Sequence, residues 1–378
     1  LFTPVALFSN ILISYLAGIP VILGFLCLIF SGMLPFISNI LLYPAGFIIE
    51  IIITLTNFFK SFPASYLWVA TPGLLVVLMY YTGLILVITG LKRSESKYFV
   101  GSGVVLISLF IAILCIPAGV YNRGILEVVF IDVGQGDSTL IKTPEGKFLL
   151  IDGGGSDFYD VGMRKLLPYL HHRGIRELFM VINTHPDTDH LQGLEKVVAE
   201  LPVNCISLPA SLLAADEYFD LKQAARGKNI PLLPLQSGHE LNIEKEMQMR
   251  VIYPGGNKYD GQDYNEQSLI LDTRFRKFSL LIPGDATRES LQEIINQRTV
   301  KPVTIVKVPH HGSKGSLLPV FYEKTHPLYA VISAGKNNPF GHPHQSVLDM
   351  LEQNQIKILR TDLQGAITFE TDGKGLKV

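Results

Sequence analysis

Thr184-His185-Pro186-Asp187-Thr188-Asp189-His190-Leu191-Gln192-Gly193 comes directly after the apolar run at residues 178–182. That run is too short for a helix and is bounded by turn formers, so it reads as a buried strand. Four side chains of the kind that ligate metal ions thus emerge within six residues, where a central strand ends. Along an extended segment the side chains at i and i+2 point the same way, so His185 and Asp187 can close on one ion while Asp189 and His190 turn toward a second. Such a cluster suits two ions roughly 3.5–4 Å apart that share and activate one water. The alternative is a polar surface loop, but such loops seldom gather two His and two Asp around a lone Pro and Thr.

Three later stretches supply complementary groups. A strand-like run at residues 279–282 leads into Gly284-Asp285, a carboxylate able to bridge two ions. Residues 304–308 lead into His310-His311-Gly312-Ser313, and Gly341-His342-Pro343-His344 comes after a strand ending near Ser333. Each alone reads as an ordinary turn or a surface His pair; repeated placement after strands makes them one convergent cluster. Upstream, residues 126–133, 139–143 and 148–151 form a predicted meander. It is punctuated by Asp132-Val133-Gly134-Gln135-Gly136-Asp137-Ser138 and Asp152-Gly153-Gly154-Gly155. Their glycines allow close backbone approach, and their acids can orient metal-bound imidazoles from behind. Ordinary tight turns are the competing reading, favoured for Gly155 and Ser156 and of equal weight for Asp137. Further strand-like runs lie at 249–253, 268–271 and 329–333, and helical spacing at 161–172, 216–225, 288–296 and 346–352. This alternation predicts a layered α/β domain.

The 378 residues divide sharply by composition. Up to Lys97 the basic residues are Lys60, Lys92, Arg93 and Lys97 and the acidic ones Glu50 and Glu95, against 32 and 33 in the whole chain. A mean hydropathy of +0.31 agrees with an apolar membrane portion joined to a water-soluble one. The net charge of −1 gives no global electrostatic footprint for nucleic acid and leaves only a local basic groove for that purpose. Three cysteines, two of them in apolar runs, suggest neither a disulfide framework nor a Cys-rich zinc site. The first residue is Leu1, without Met or a basic segment ahead of an apolar run, so the expectation is a stretch of a longer membrane protein.

Residues 1–49 carry no charge, far beyond the roughly 20 residues that cross a bilayer once. Ser31-Gly32 and Pro35 divide them into two spans, or a span and a re-entrant segment, with kinks expected near Pro20, Pro35 and Pro44. Glu50 either lines a pathway or sits at the interface. Pro63, Tyr66, Trp68 and Pro72 mark an interfacial segment, and residues 73–90 and 99–120 read as two more spans. The intervening loop holds Lys92, Arg93 and Lys97; by the positive-inside tendency it is cytoplasmic, so residues after Tyr121 emerge on the outer side. Domains are therefore expected at 1–120 (transmembrane) and 121–378 (soluble).

The His185–His190 run resembles the HxHxDH motif of the metallo-β-lactamase superfamily, with Asp187 in place of the second His. The resemblance implies an αββα sandwich, with Asp285 as bridging carboxylate and the last His supplied by His311 or His310. The superfamily's middle His has no counterpart; the corresponding region offers Asn265 and Ser268. More narrowly, DVGQGDS, DGG, THPDTDH, NxxS, GD, VPHHGS and GHPH behind a polytopic portion resemble the ComEC family of competence proteins, which form an inner-membrane channel for transforming DNA. This implies a multi-pass plasma-membrane protein, DNA and other competence DNA-uptake proteins as partners, and an extracytoplasmic metal-dependent nuclease that degrades the strand not imported. A translocation channel with a catalytically inactive guide domain is the alternative. The implied site holds two divalent ions, one on His185, Asp187 and Asp285 and the other on Asp189, His190, Asp285 and His311. Carboxylate-rich ligation favours Mn²⁺, with Zn²⁺ as the alternative. Asp189 and His342 are the candidate catalytic residues; Asn265, Ser268, Ser313, Lys314 and His342 are the candidates for contacting substrate. The ordinary readings are a solvated side chain for Lys314 and a turn-shaping role for His342.

Overall fold

A computed structural model describes the chain except residues 1, 2, 4, 33, 63, 64, 66, 67, 93–96 and 256–262. The expectations placed on Pro63, Tyr66 and the charged loop at 93–96 lie outside the described residues. The chain forms two compact units, residues 1–69 and 70–378.

The first unit is a pair of helices, α1 (Ala6–Ser31) and α2 (Pro35–Lys60), each long and apolar enough to cross a membrane. Pro20 and Pro44 lie inside these helices, and Pro35 occupies the first turn of α2, where its missing N–H costs nothing. Large apolar side chains such as Phe25 and Phe47 point outward, as lipid-facing residues do. Glu50 is exposed beside Asn39 and Tyr43 in a groove along α2.

The second unit opens with another such pair, α3 (Leu74–Leu91) and α4 (Lys97–Cys115). They approach most closely at glycines: a Cβ on Gly103 would lie 2.6 Å from the Gly83 carbonyl oxygen, so only a residue without a side chain fits. Hydrogen bonds tie this end of the unit to its α/β portion, among them one from Thr71 N to the His172 carbonyl at 3.1 Å. Arg176 donates to the Leu114 carbonyl at 3.4 Å, and the Thr71 hydroxyl lies 2.6 Å from His172 Nδ1.

Beyond α4 the chain is a sandwich of two sheets. Strands β1 (Leu126–Phe130), β2 (Thr139–Lys142), β3 (Phe148–Ile151), β4 (Met180–Ile182), β5 (Ile206–Pro209) and β6 (Leu232–Leu235) open the first. The second comprises β7 (Glu240–Glu244), β8 (Met247–Tyr253), β9 (Ile270–Phe275), β10 (Phe278–Ile282), β11 (Ile305–Lys307), β12 (Tyr329–Ile332) and β13 (Lys357–Arg360). Strands β14 (Ile367–Thr371) and β15 (Leu376–Lys377) return to the first sheet beside β1, giving the order β15-β14-β1-β2-β3-β4-β5-β6 against β13-β12-β11-β10-β9-β8-β7. The meander β1-β2-β3 is antiparallel as its short turns require, and β3 to β6 are parallel, joined by crossovers.

Period-2 alternation sorts the side chains into three apolar layers. Val128, Phe130, Ile141, Leu149 and Ile182 meet Met249, Val251, Leu271, Leu280 and Val331 between the sheets. Their neighbours Val129, Leu140, Leu150 and Val181 face outward onto α5 (Leu167–His172), α6 (Thr188–Glu200) and α7 (Phe219–Gly227). Ile270, Leu281, Val306 and Ala330 pack onto α8 (Arg288–Asn296), α9 (Pro319–Thr325) and α10 (Gln345–Gln353) on the far side. The result is helix, sheet, sheet, helix, with each fully buried Leu, Ile or Phe contributing about 1.5–3 kcal/mol. The ends of β4, β10, β11 and β12 all deliver polar, His- and Asp-bearing loops to one rim of the sandwich.

Candidate metal centre

The extended conformation after β4 persists to Asp187 (φ −63°, ψ 145°), and α6 starts at Thr188. Asp189 and His190 are therefore first-turn helical residues, where a carboxylate also meets the positive end of the helix dipole. Two glycine-bearing loops hold this turn in place by backbone contact. Asp137 N donates to the Asp189 carbonyl at 3.1 Å and Gly153 N to that of His190 at 2.8 Å. Gly136 has φ +108°, and a Cβ there would lie 2.1 Å from the Asp189 carbonyl oxygen. Any side chain would push the turn out of the site.

Three buried imidazoles converge. Nε2 of His185, His190 and His311 is fully shielded and makes no hydrogen bond within the described residues. His190 Nε2 lies 3.2 Å from Asp285 Oδ1, His311 Nε2 lies 3.1 Å from Asp285 Oδ2, and His311 Nε2 lies 3.2 Å from Asp189 Oδ2. Ligand atoms held by one ion at roughly 2.0–2.2 Å in tetrahedral geometry stand about 3.3–3.6 Å apart, so these separations, 0.1–0.2 Å shorter than the low end, need only a slight spreading to admit a shared cation. His185 Nε2 lies 3.5 Å from Asp187 Oδ2, a second pairing on the more open side. His310 Nε2 is 3.8 Å from Asp285 Oδ2 and partly exposed, so His311 makes the closer approach of the two.

The outer edges of these rings are committed. Asp152, buried at the end of β3, accepts from His190 Nδ1 at 2.9 Å and the Thr184 hydroxyl at 2.8 Å through one oxygen. Its other oxygen accepts from Thr184 N at 2.7 Å and Asn183 Nδ2 at 3.0 Å. Asn183 in turn accepts from the buried Tyr218 hydroxyl at 2.7 Å. His311 Nδ1 donates to the Ser333 carbonyl at 3.0 Å. Each bond puts the proton on Nδ1 and leaves the Nε2 lone pair toward the centre.

Asp137, His190, Asp285 and His311 form a compact group with potential ligand atoms within 4.8 Å of one another. Asp137, however, approaches the Nδ1 edges, at 3.3 Å from His311 and 3.9 Å from His190, and contacts the Lys307 ammonium. It therefore stands behind the ligands as a countercharge. Lys307 is itself 1 % exposed and also donates to Asp285 Oδ1 at 3.3 Å and the Gly284 carbonyl at 3.1 Å. Burial opposes ionisation of Asp285, but His311, His190 and Lys307 outweigh it and hold the carboxyl well below its ordinary range. Burial likewise disfavours charge on Lys307, yet Asp137 and Asp285 raise its pKa. Without a metal the histidines serve as the cations: despite burial, His190 and His311 are raised well above their usual values by the surrounding carboxylates. Orphaned Nε2 atoms beside ionised carboxylates are the donor set a divalent ion requires.

Other candidate residues stand apart from this centre. The His342 ring lies 5.7 Å from that of His310 and 6.1 Å from that of His311, with Nδ1 buried and without a hydrogen-bond partner among the described residues; burial, then His311 and His310, lower its pKa to about 4. Ser268 is buried, its Oγ accepting from Asp285 N at 3.3 Å, which steadies the carboxylate. Ser313 Oγ accepts from Gly315 N in its own turn, and Lys314 N donates to His344 Nδ1 at 3.3 Å. Asn265 sits in a short 3₁₀ turn with a buried Oδ1 that has no hydrogen-bond partner among the described residues. Lys307 is absent from the candidates that the sequence supplies. Its signal there is a charged residue between two apolar ones in a short strand, and both of those, Val306 and Val308, are buried.

Residues 1–94 match the family model described as "Competence protein", and residues 131–335 that of the "Metallo-beta-lactamase superfamily". Among curated proteins the chain is 32 % identical over 315 residues to "ComE operon protein 3" of Bacillus subtilis, covering 80 % of this chain and 40 % of that one. It is 30 % identical over 243 residues to "Recombination protein 2" of Haemophilus influenzae, covering 64 % and 28 %. To "Competence protein ComA" of Neisseria gonorrhoeae it is 28 % identical over 247 residues, covering 65 % and 32 %. The chain thus spans less than half the length of each of these relatives. With an orphaned imidazole cluster at the strand ends of its sandwich and a competence segment ahead of it, the chain belongs through residues 131–335 to the metallo-β-lactamase superfamily and as a whole to the ComEC family.

Proposed function

We propose that residues 121–378 form an extracytoplasmic, metal-dependent phosphodiesterase that degrades the DNA strand not taken up through the membrane portion. The observation that carries this reading is the set of three buried Nε2 atoms, that of His185 facing Asp187 and those of His190 and His311 facing Asp285 and Asp189, none making a hydrogen bond among the described residues. His185, Asp187 and Asp285 would hold one divalent ion; Asp189, His190, Asp285 and His311 the other. Bound there, the ions supply the acidity that ionises water near neutral pH and the positive charge that polarises a phosphoryl oxygen.

The chain's own residues do the rest. Asp152 and the Ser333 carbonyl fix the ring orientations of His190 and His311. Lys307 keeps Asp285 and Asp137 ionised, so ligand geometry survives between turnovers. Neutral at pH 7, His342 presents an imidazole hydrogen bond to the departing oxygen. The carboxylate-rich donor set favours Mn²⁺ over Zn²⁺. The test is cleavage of labelled DNA by the full chain in detergent, stripped and reloaded with single metals. Mn²⁺-dependent cleavage lost in Asp189→Ala is the expected result, and cleavage with zinc alone refutes the metal preference.

The second reading is a guide domain without catalysis, favoured by the lack of a counterpart to the superfamily's middle histidine, the corresponding region offering Asn265 instead. Under it Asp189→Ala leaves DNA uptake and binding intact.

A further inference from the structure

The centre opens into a cleft of 710 Å³ whose floor includes Thr188 and Asp189. Loops after β3 and β12 wall it, and each presents an outward phenylalanine: Phe158 is 92 % exposed and Phe340 60 %. The Phe340 ring stacks on His342 at 5.7 Å and 22°, and His342 abuts His310 and His311. An aromatic surface therefore runs from the ion ligands to the cleft wall. Two wall acids are countered: Asp132 lies 3.8 Å from Lys165, and Asp362 is held by Arg360 at 2.6 Å. Asp157 is a further acid there, while exposed Lys336, on the Phe340 loop, has no ion pair among the described residues.

We infer that this cleft is a base-stacking site for single-stranded nucleic acid, with Phe158 and Phe340 receiving nucleobases beside the scissile phosphodiester and Lys336 meeting a neighbouring phosphate. The inference rests on the phosphodiesterase reading and adds the form of the substrate to it. A base offers its faces to a phenylalanine only when it is unpaired and unstacked. The ligands are also recessed, the side chains of Asp285 and His311 being 4 % and 2 % exposed, so a strand must enter the cleft to reach them. Stacking on phenylalanine tolerates every base, which suits degradation without sequence preference.

The test is fluorescence anisotropy on the full chain in detergent, with Ca²⁺ present, using labelled oligothymidylate, an abasic strand of equal length and a blunt duplex. Wild type is expected to prefer oligothymidylate over both others by about tenfold or more, and Phe158→Ala/Phe340→Ala to reduce that preference to about twofold. Equal binding of the abasic strand, or a preference untouched by the double variant, overturns the inference. Turnover of bis(4-nitrophenyl) phosphate with Mn²⁺, run in parallel, separates the two readings. Base-selective binding with no hydrolysis of any diester sinks the phosphodiesterase and leaves the stacking site standing, whereas hydrolysis without base selectivity sinks the stacking site alone.

Discussion

Asp152→Asn isolates the contribution of ligand orientation. The carboxylate accepts four hydrogen bonds, and amide substitution preserves two of them if the oxygen faces Thr184 N and Asn183. The amide NH₂ then confronts His190 Nδ1–H, donor against donor, while the Thr184 hydroxyl can turn to accept from it. His190 must either lose its support or shift its proton to Nε2, which closes the lone pair that faces the ion. Removing such support for a metal-bound histidine weakens metal binding about 10- to 100-fold, or about 1.4–2.8 kcal/mol. Lost charge-assisted bonding in this buried place costs the metal-free fold a further 1.5–3 kcal/mol or so. Isothermal titration of the full chain with Mn²⁺, paired with thermal unfolding in chelator, reads both quantities. A folded Asp152→Asn protein that binds Mn²⁺ within twofold of wild type refutes the reasoning.

Chelation is expected to lower Tm reversibly: at free metal a hundred times Kd, the bound ion adds about 2.7 kcal/mol, checked by calorimetry with and without Mn²⁺. Lys307→Met takes from buried Asp137 and Asp285 the ammonium they share and is expected to cost about 3–5 kcal/mol, with Asp137→Asn in the same chain restoring part of it in denaturant melts. Burial first, then Asp220, raises the Glu195 pKa to about 7. The native state then binds the extra proton, so this residue's effect on stability is neutral below its unfolded pKa of 4.5 and becomes unfavourable as pH rises through about 7. Glu195→Gln should therefore raise stability at pH 8 by about 1–2 kcal/mol after allowance for solvent screening and leave it unchanged at pH 4, read from thermal melts at the two pH values. Gly136→Ala should displace the first turn of α6 and weaken Mn²⁺ binding at least tenfold, read by titration.

Much of the architecture was legible because burial on two faces writes apolar runs into short strands, and the helix read at 288–296 coincides with α8. The helix at 216–225 was nearly so, beginning as a 3₁₀ turn before α7. Strands β7 and β13 to β15 escaped: they are short, lie at or near sheet edges and are partly exposed, so their patterns carry little apolar signal. Helix α6 was hidden behind its own ligands, since Asp189 and His190 interrupt the apolar period where the helix begins. At the centre, the ligand types were readable from local spacing. The partnership of Lys307 with Asp137 was not, because it joins residues 170 positions apart in separate sheets.

His310 (φ 49°, ψ 50°), His311 (φ 53°, ψ 18°) and Gly312 (φ 83°) lie in succession in the left-handed region, which costs about 1–2 kcal/mol for each residue bearing a side chain. Hydrogen bonds from His310 N to the Gly284 carbonyl and from His344 N to that of Gly312 clamp the bend. Because those bonds hold the bend by backbone contacts alone, its cost is borne by folding, and the imidazoles on it stand ready before any ion arrives.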